Sequence, residues 1–526
     1  MTSVCARMLM GRCAVPEETV TTRVVILSCF LAYFALCAGV YMTTSRVERA
    51  PLPDLSHLPA SCSDLSWQTN LHVVLADDTL STAKPFCDRL EALLHVSVAD
   101  QQQFNVLCSL VGADRLAAAM PKTEEDMQDF DDLLKTDTED SSDITVFIIK
   151  GPKELSVLGK YKHAWITTGG KPVLELVQRC SDLVRAMWRP IVSGSDAVHQ
   201  SNMQVHSQRS YLLSFSLLID TPSKALSWSF KDVLNAHLTP FLDEIRNVFN
   251  ARVDSQVVYF ADIVDGINVG RNNVSFITPS QLETFIGRTK WNVESIHTPS
   301  FPALHFFIYI PPRRHTPLTI RPTAAAPAST SFMLPRWGGL VIGNSLETVN
   351  SPTDERISSV MGVVVAQIRT LLGLPLPAWS VDGVDIDQLA APSGVAQWEV
   401  DLARRDRIRS NHASAVQTLG AFSSLLRENL QLPVEDHVAA LVHNAVSSLH
   451  GCRSAIMRHE YKTAFDMCLD AHSNAQSAFF DETMIPLMYF PDEHVYAVYT
   501  PFFVPILMPV LSRTVTFIKD MKRRYT

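Results

Sequence analysis

The sequence predicts an α/β domain followed by a helical portion, flanked by one transmembrane helix at each end. Three observations predict it. Strand-like and helix-like runs alternate between residues 144 and 310. From Trp398 onward the apolar residues recur at three- and four-residue steps instead. Charge-free apolar stretches lie near both ends, Val24 to Met42 and Val495 to Leu511.

The C-terminal stretch has 17 residues without a charge and extends through Ile518 past Arg513. At about 1.5 Å per residue it is long enough to cross a hydrocarbon core of roughly 30 Å. Pro501, Pro505 and Pro509 recur at every fourth position, so their rings share one helix face. Each removes a backbone donor, and the carbonyls it frees need neighbouring helices or water; that face is expected to pack against protein. Arg513, Lys519, Lys522, Arg523 and Arg524 follow the stretch, while Asp492, Glu493 and His494 precede it. Basic residues beside a span stay in the cytosol, so residues 519–526 are expected there.

The N-terminal stretch is 19 residues long and runs on through Tyr41 and Met42, which fits an uncleaved anchor better than a signal peptide. Two crossings then put residues 1–23 in the cytosol with the C-terminal tail. The α/β domain (43–397) and the helical region (398–494), between spans over 24–42 and 495–518, lie on the far side of the membrane. Asn273-Val274-Ser275, in an Asn-rich loop, is a sequon for N-glycosylation and agrees with that placement.

Composition narrows the function. The net charge of −9 argues against a nucleic-acid partner. Cys62, Cys87, Cys108, Cys180, Cys452 and Cys468 lie between the spans, too sparse for a disulfide scaffold, with no pair at C-x-x-C spacing for zinc. Cys452 and Cys468 would be about 24 Å apart on one continuous helix, so they can pair only if the chain turns between them.

Strands are expected at Ile144–Ile149, Tyr211–Ile219, Val257–Ile263, Leu304–Ile310 and Leu340–Ile342. Helices are expected at Pro172–Trp188, Phe230–Phe249 and Asp354–Leu372, the last closed by Gly373 and Pro375. Residues 121–143 hold ten carboxylates without calcium-loop spacing and read as a solvated loop with one helical turn. Residues 313–331 read as a surface loop. Further on, Val416, Leu419, Phe422 and Leu426 form one stripe, Val438, Leu441, Ala445 and Leu449 a second, and Ile456, Tyr461, Phe465, Cys468 and Leu469 a third, as in antiparallel packed helices.

No catalytic, cofactor or metal constellation is visible. H-E-x-x-H, G-x-S-x-G, phosphate-loop and G-x-G-x-x-G patterns are absent, and no histidine forms a recognisable dyad in sequence. Asp385-Ile386-Asp387 has D-x-D form but reads as loop without a nucleotide-binding motif beside it.

Several segments, taken together, resemble the PIG-S family of glycosylphosphatidylinositol (GPI) transamidase subunits. They are Arg49-Ala50-Pro51-Leu52-Pro53, the run from Leu304 to Pro311, Pro335 to Val341, Gln367 to Gly373, Trp398-Glu399, Phe479-Phe480-Asp481, and Leu487 to Asp492 followed by the proline-bearing span. The resemblance covers nearly the whole chain, although residues 1–23 and 121–143 match nothing fixed in that family. It implies a non-catalytic subunit of a complex in the endoplasmic reticulum membrane, one that exchanges a precursor's C-terminal signal for a GPI lipid. It also implies that the nucleophilic cysteine belongs to a caspase-like subunit. The expected partners are that subunit, the other transamidase subunits and membrane lipid, with contact to the precursor protein also compatible; no cofactor is implied.

Overall fold

The structure, a computed structural model, describes residues 49–55 and most of residues 67–484. Residues 1–48, 56–66, 77–82, 98–101, 111–123, 135–142, 189–209, 222–227, 262–267, 270–274, 282–301 and 485–526 and some shorter stretches fall outside, apart from scattered positions between 25 and 36 and between 501 and 522. The chain divides into two compact units. One comprises Ser56–Gln417 with Asn444–Asn474, the other Met1–Leu55 with Thr418–His443 and Ala475–Thr526.

The first unit is built on two sheets. Its elements run β1 (Trp67–Ala76), α1 (Ala83–Ser97), β2 (Gln102–Leu110), α2 (Glu124–Leu133), β3 (Ile144–Ile149), β4 (Ser156–Leu158), β5 (His163–Thr167), α3 (Val173–Trp188) and β6 (Tyr211–Ile219). They continue α4 (Phe230–His237), α5 (Thr239–Ile245), β7 (Ala251–Tyr259), β8 (Asn268–Val269), β9 (Ser275–Ile277), β10 (Ala303–Ile310), β11 (Leu318–Ile320), β12 (Ser331–Leu334) and β13 (Gly338–Ile342). After these come α6 (Glu355–Leu372), β14 (Trp379–Val381), β15 (Val384–Gln388) and the long helices α7 (Gln397–Glu428), α8 (Asp436–Met457) and α9 (Tyr461–Phe479), of which residues 418–443 and those from 475 on belong to the second unit.

Strand order in the larger sheet is β14-β15-β4-β5-β3-β1-β2, in the second β12-β13-β10-β6-β7, with a small β11-β9-β8 sheet besides. The chain is therefore a mixed α/β domain with C-terminal helices. β2, β1, β3 and β5 are mutually parallel, as are β13, β10, β6 and β7. Parallel strands covered on both faces should read as unbroken apolar runs. That is why Tyr211–Ile219 and Gly338–Ile342 are buried along almost their whole length.

One core takes residues from both large sheets and from the helices against them, among them Leu71, Phe215, Phe306, Leu183 and Ile368. The opposite face of the second sheet packs Leu218, Phe307 and Tyr309 against Ile277 and Leu318 of the small sheet. The opposite face of the larger sheet packs Phe147 and Trp165 against Met127 and Phe130 of α2. Residues 121–143 are thus corrected from a solvated loop: Glu124–Leu133 is a ten-residue helix that buries Met127 and Asp131. Its apolar face, thin among the carboxylates, is needed to cover the sheet.

Other boundaries shift for local reasons. The single helix expected over Phe230–Phe249 is two, because Pro240 has no N–H to continue the ladder and Leu238 ends α4. β7 lies at Ala251–Tyr259, earlier than expected, and stops where Phe260 takes φ +58°. The loop expected over 313–331 contains β11. Asp385 and Asp387 lie on β15, in the sheet rather than in a loop. By contrast α6 starts and stops as its caps dictate: Asp354 accepts a bond from the Arg356 N–H, and Gly373 is left-handed at φ +78°. Hydrogen bonds from Arg356 hold the Asp354 carboxyl down at about 2.

Two disulfides staple this unit, Cys87–Cys108 between α1 and β2 and Cys452–Cys468 between α8 and α9. The turn required for the second pair is present. His459 adopts φ +63° between the two helices, and the Cα atoms of the cysteines are 5.6 Å apart.

Among the described residues no helix is long and apolar enough to cross a membrane, and most of both expected spans falls outside them.

Gly338 has φ +147° beside His305 on β10, and a Cβ there would collide with the His305 carbonyl oxygen. Gly362, inside α6, has open space around it. Gly338→Ala should cost at least about 2 kcal/mol and lower the melting temperature of the purified full-length chain. Gly362→Ala should raise it slightly through helix propensity.

Candidate functional site

In parallel α/β sheets, ligands bind beyond the carboxyl ends of the strands, where the strand order reverses. For the second sheet that point lies between β6 and β10, since β6 leads outward to β7 and β10 to β13. There the buried Tyr309 hydroxyl donates to Asp220 Oδ2 at 2.9 Å, and Thr221 Oγ1 donates to Oδ1 at 2.8 Å. Both carboxylate oxygens are occupied by the protein's own hydroxyls. Among the described residues, no group of three or more His, Cys, Asp or Glu side chains is placed to hold a metal ion, and Asp385 and Asp387 join no such group.

A histidine–carboxylate pair that sequence reading missed lies elsewhere. Asp131 of α2, fully buried, meets His163 Nδ1 at 2.8 Å and accepts the Lys160 N–H at 2.6 Å. Such a pair can orient a general base. Here, however, His163 stands at the amino end of β5, level with Thr145 at the start of β3. Phe147 and Trp165 lie against its ring, with centroids 6.1 and 6.3 Å away. Asp131 and His163 are 32 residues apart, and nothing in sequence distinguishes this carboxylate from its nine neighbours. The geometry is that of a clamp on the β4–β5 turn. Gly159 is wedged there, since a Cβ would come within 2.8 Å of both Asp131 and Trp165.

The start of α7 grips the same turn. Trp398 Nε1 donates to the Gly159 carbonyl at 3.1 Å, the Gln397 N–H donates to the Lys160 carbonyl at 2.7 Å, and Lys162 pairs with Asp401 at 2.7 Å. Glu399, with no exposed surface, accepts the Ala396 N–H at 2.8 Å, a helix-capping contact, and pairs with Arg369 of α6 at 2.7 Å. Arg369 also donates to the Gly394 carbonyl. Two residues earlier on α6, Gln367 donates to the Phe332 and Leu340 carbonyls over Gly339, which leaves no room for a Cβ. Trp337 stacks on Phe307 at 5.5 Å and lies 5.4 Å from the His305 ring.

Behind this seam α7 buries Arg404, Arg405 and Arg407. Arg407 donates to the Tyr211 hydroxyl at 2.9 Å and lies 3.9 Å over the Phe249 ring. Burial lowers Arg405 to about 10, so it stays charged at neutral pH. The buried free thiol Cys180 is pushed up to about 12 by burial and Asp182, so it supplies no thiolate.

The sequence-singled residues therefore divide. The blocks at 304–311, 335–341, 367–373 and 398–399 meet in one packing seam. Asn273 lies outside the described residues, in the five-residue connection between the paired strands β8 and β9. Pro501, Pro505 and Pro509 are helical and exposed.

Glu399→Gln leaves Arg369 buried without its counter-charge and should cost about 3–5 kcal/mol. Replacing the pair together, Arg369→Met with Glu399→Leu, should recover most of that loss, measured by thermal unfolding of the full-length chain.

A family model described as phosphatidylinositol-glycan biosynthesis class S protein matches residues 28–524. A Bos taurus protein named GPI-anchor transamidase component PIGS is 28% identical over 378 residues, covering 69% of this chain and 67% of that one. The Homo sapiens protein of the same name is 27% identical, covering 71% of this chain and 70% of its own. A Schizosaccharomyces pombe protein named GPI transamidase component PIG-S homolog is 24% identical, across 97% of this chain and 86% of its own. With a match that runs through almost every described element, including the seam around Glu399, this chain belongs to the phosphatidylinositol-glycan biosynthesis class S family.

Proposed function

We propose that this chain is a non-catalytic subunit of a GPI transamidase complex, anchored in the endoplasmic reticulum membrane by two spans, with its α/β domain and helices in the lumen. The observation that carries this reading is the use made of the signature residues. They build the interior of a scaffold, and among the described residues the carboxylate at the carboxyl end of the second sheet, Asp220, is held by Tyr309 and Thr221. Attachment of a GPI anchor to a precursor needs a nucleophile, and the reading assigns it to a caspase-like partner subunit.

Two disulfides support an oxidising compartment. The apolar stretches near both ends support anchoring. On the C-terminal stretch, Val504, Met508, Leu511, Val515 and Ile518 are exposed in the isolated chain, beside the three prolines. That face is assigned to packing among partner helices, with lipid around the remainder. Such a subunit acts by fixed geometry, which lowers the entropic cost of bringing precursor and lipid together.

A mild-detergent pull-down of the tagged full-length chain should recover a caspase-like cysteine protease and multispanning partners in fixed ratio. Recovery of the chain alone, with hydrolase activity of its own, would overturn the reading. Replacing Pro501, Pro505 and Pro509 together by Leu should weaken that recovery without changing the thermal unfolding of the lumenal part. Asn273→Gln should remove a glycosidase-sensitive shift in gel mobility, and a wild-type chain with no such shift would count against lumenal exposure.

A further inference from the structure

The second unit gathers three pieces of chain that are remote in sequence: residues 49–55, the corner between α7 and α8, and the end of α9. Arg49 runs beside Val434 as a short parallel bridge, and the Ala50 N–H donates to the Val434 carbonyl at 2.9 Å. The Arg49 guanidinium then spans the corner. Its Nε donates to the Leu432 carbonyl at 3.0 Å and its Nη2 to the Leu426 carbonyl at 3.4 Å.

Leu426 lies in the last turn of α7, where carbonyls have no helical partner and a cation is favoured by the helix dipole. The fork of one arginine thus serves a helix end and the following corner at once, which a lysine could not do. Two residues on, His443 Nε2 lies 3.2 Å from the Pro51 carbonyl. The first turn of α8 is tied in turn to the end of α9. His437 Nε2 meets Asp481 Oδ2 at 2.9 Å, and Asp481 Oδ1 accepts the N–H and hydroxyl of Thr483 at 3.0 and 2.6 Å.

We infer that Arg49 is a latch: it docks residues 49–55, which follow the N-terminal apolar stretch in sequence, onto the α7–α8 corner, next to the helix turn whose His437 ties Asp481 just past α9. Residues 49–55 and the segment just past α9 are thereby held to one unit, so that the apolar stretches next to them in sequence leave from linked points. The docking stands on contacts within this unit; only its consequence for paired membrane spans rests on the function proposed above.

The test is a set of full-length variants expressed with partner proteins. Arg49→Met should reduce co-purification of partners about five-fold, the size expected from losing charge-assisted hydrogen bonds, with Arg49→Lys in between. Arg49→Cys with Val434→Cys places the thiols on bridge neighbours, whose spacing of about 4.8 Å suits a disulfide. Peptide mass spectrometry should find that cross-link, and oxidised protein should regain co-purification that reduced protein lacks. Absence of the cross-link while Cys452–Cys468 is oxidised would overturn the latch. So would full co-purification by Arg49→Met, or a formed cross-link that restores nothing. Alkaline carbonate extraction separates the two ideas: release of a chain that still forms the cross-link would defeat membrane anchoring and leave the latch standing.

Discussion

The buried pair of Arg369 and Glu399 is the constraint on which the α/β unit turns. Glu399 sits in the first turn of α7 and accepts from the Ala396 N–H as well as from Arg369, while its neighbours Gln397 and Trp398 hold the β4–β5 turn of the larger sheet. Arg369 belongs to α6, which packs on the second sheet. One carboxylate therefore ties together a helix start, a second helix and, through its neighbours, the other sheet. Two charges out of water add little net stability over an apolar pair of the same volume. Their leverage lies in what happens when they part, because each is then left desolvated without its counter-charge.

The same logic governs the described polar groups at the ends of the sheets. A catalytic α/β domain spends its polar side chains at the carboxyl edge of the strands, where they stay accessible. Here the Asp131–His163 pair lies at the amino edge, and Asp220, at the carboxyl edge, is satisfied by Tyr309 and Thr221. Polar groups with all their partners inside the protein hold positions and do no chemistry on others.

Much of this was legible in sequence, for identifiable reasons. Ile144–Ile149 and Tyr211–Ile219 are legible to the residue because doubly covered parallel strands are apolar throughout. The caps at Asp354 and Gly373 fixed α6. β1, α1 and β2, which complete the larger sheet, gave no comparable signal: Gln102–Leu110 lies at the sheet edge, and polar residues face solvent along it. The helix at Glu124–Leu133 was hidden by its own charge, since two apolar side chains and one buried aspartate suffice to cover Phe147 and Trp165. The seam itself was legible only as separate words. Nothing in sequence says that residue 159 meets residue 398.

The bond from Arg49 to the Leu432 carbonyl spans 383 positions of chain. Ribosomes extend chains at roughly 5–20 residues per second, so the acceptor emerges about 20–80 s after the arginine. For that interval the segment around Arg49 has no corner on which to dock. A segment docked by Arg49 onto a corner between two of the chain's late helices cannot reach its final place until that corner has been made. The chain therefore offers its assembly partners a finished surface only when nearly all of it has been made.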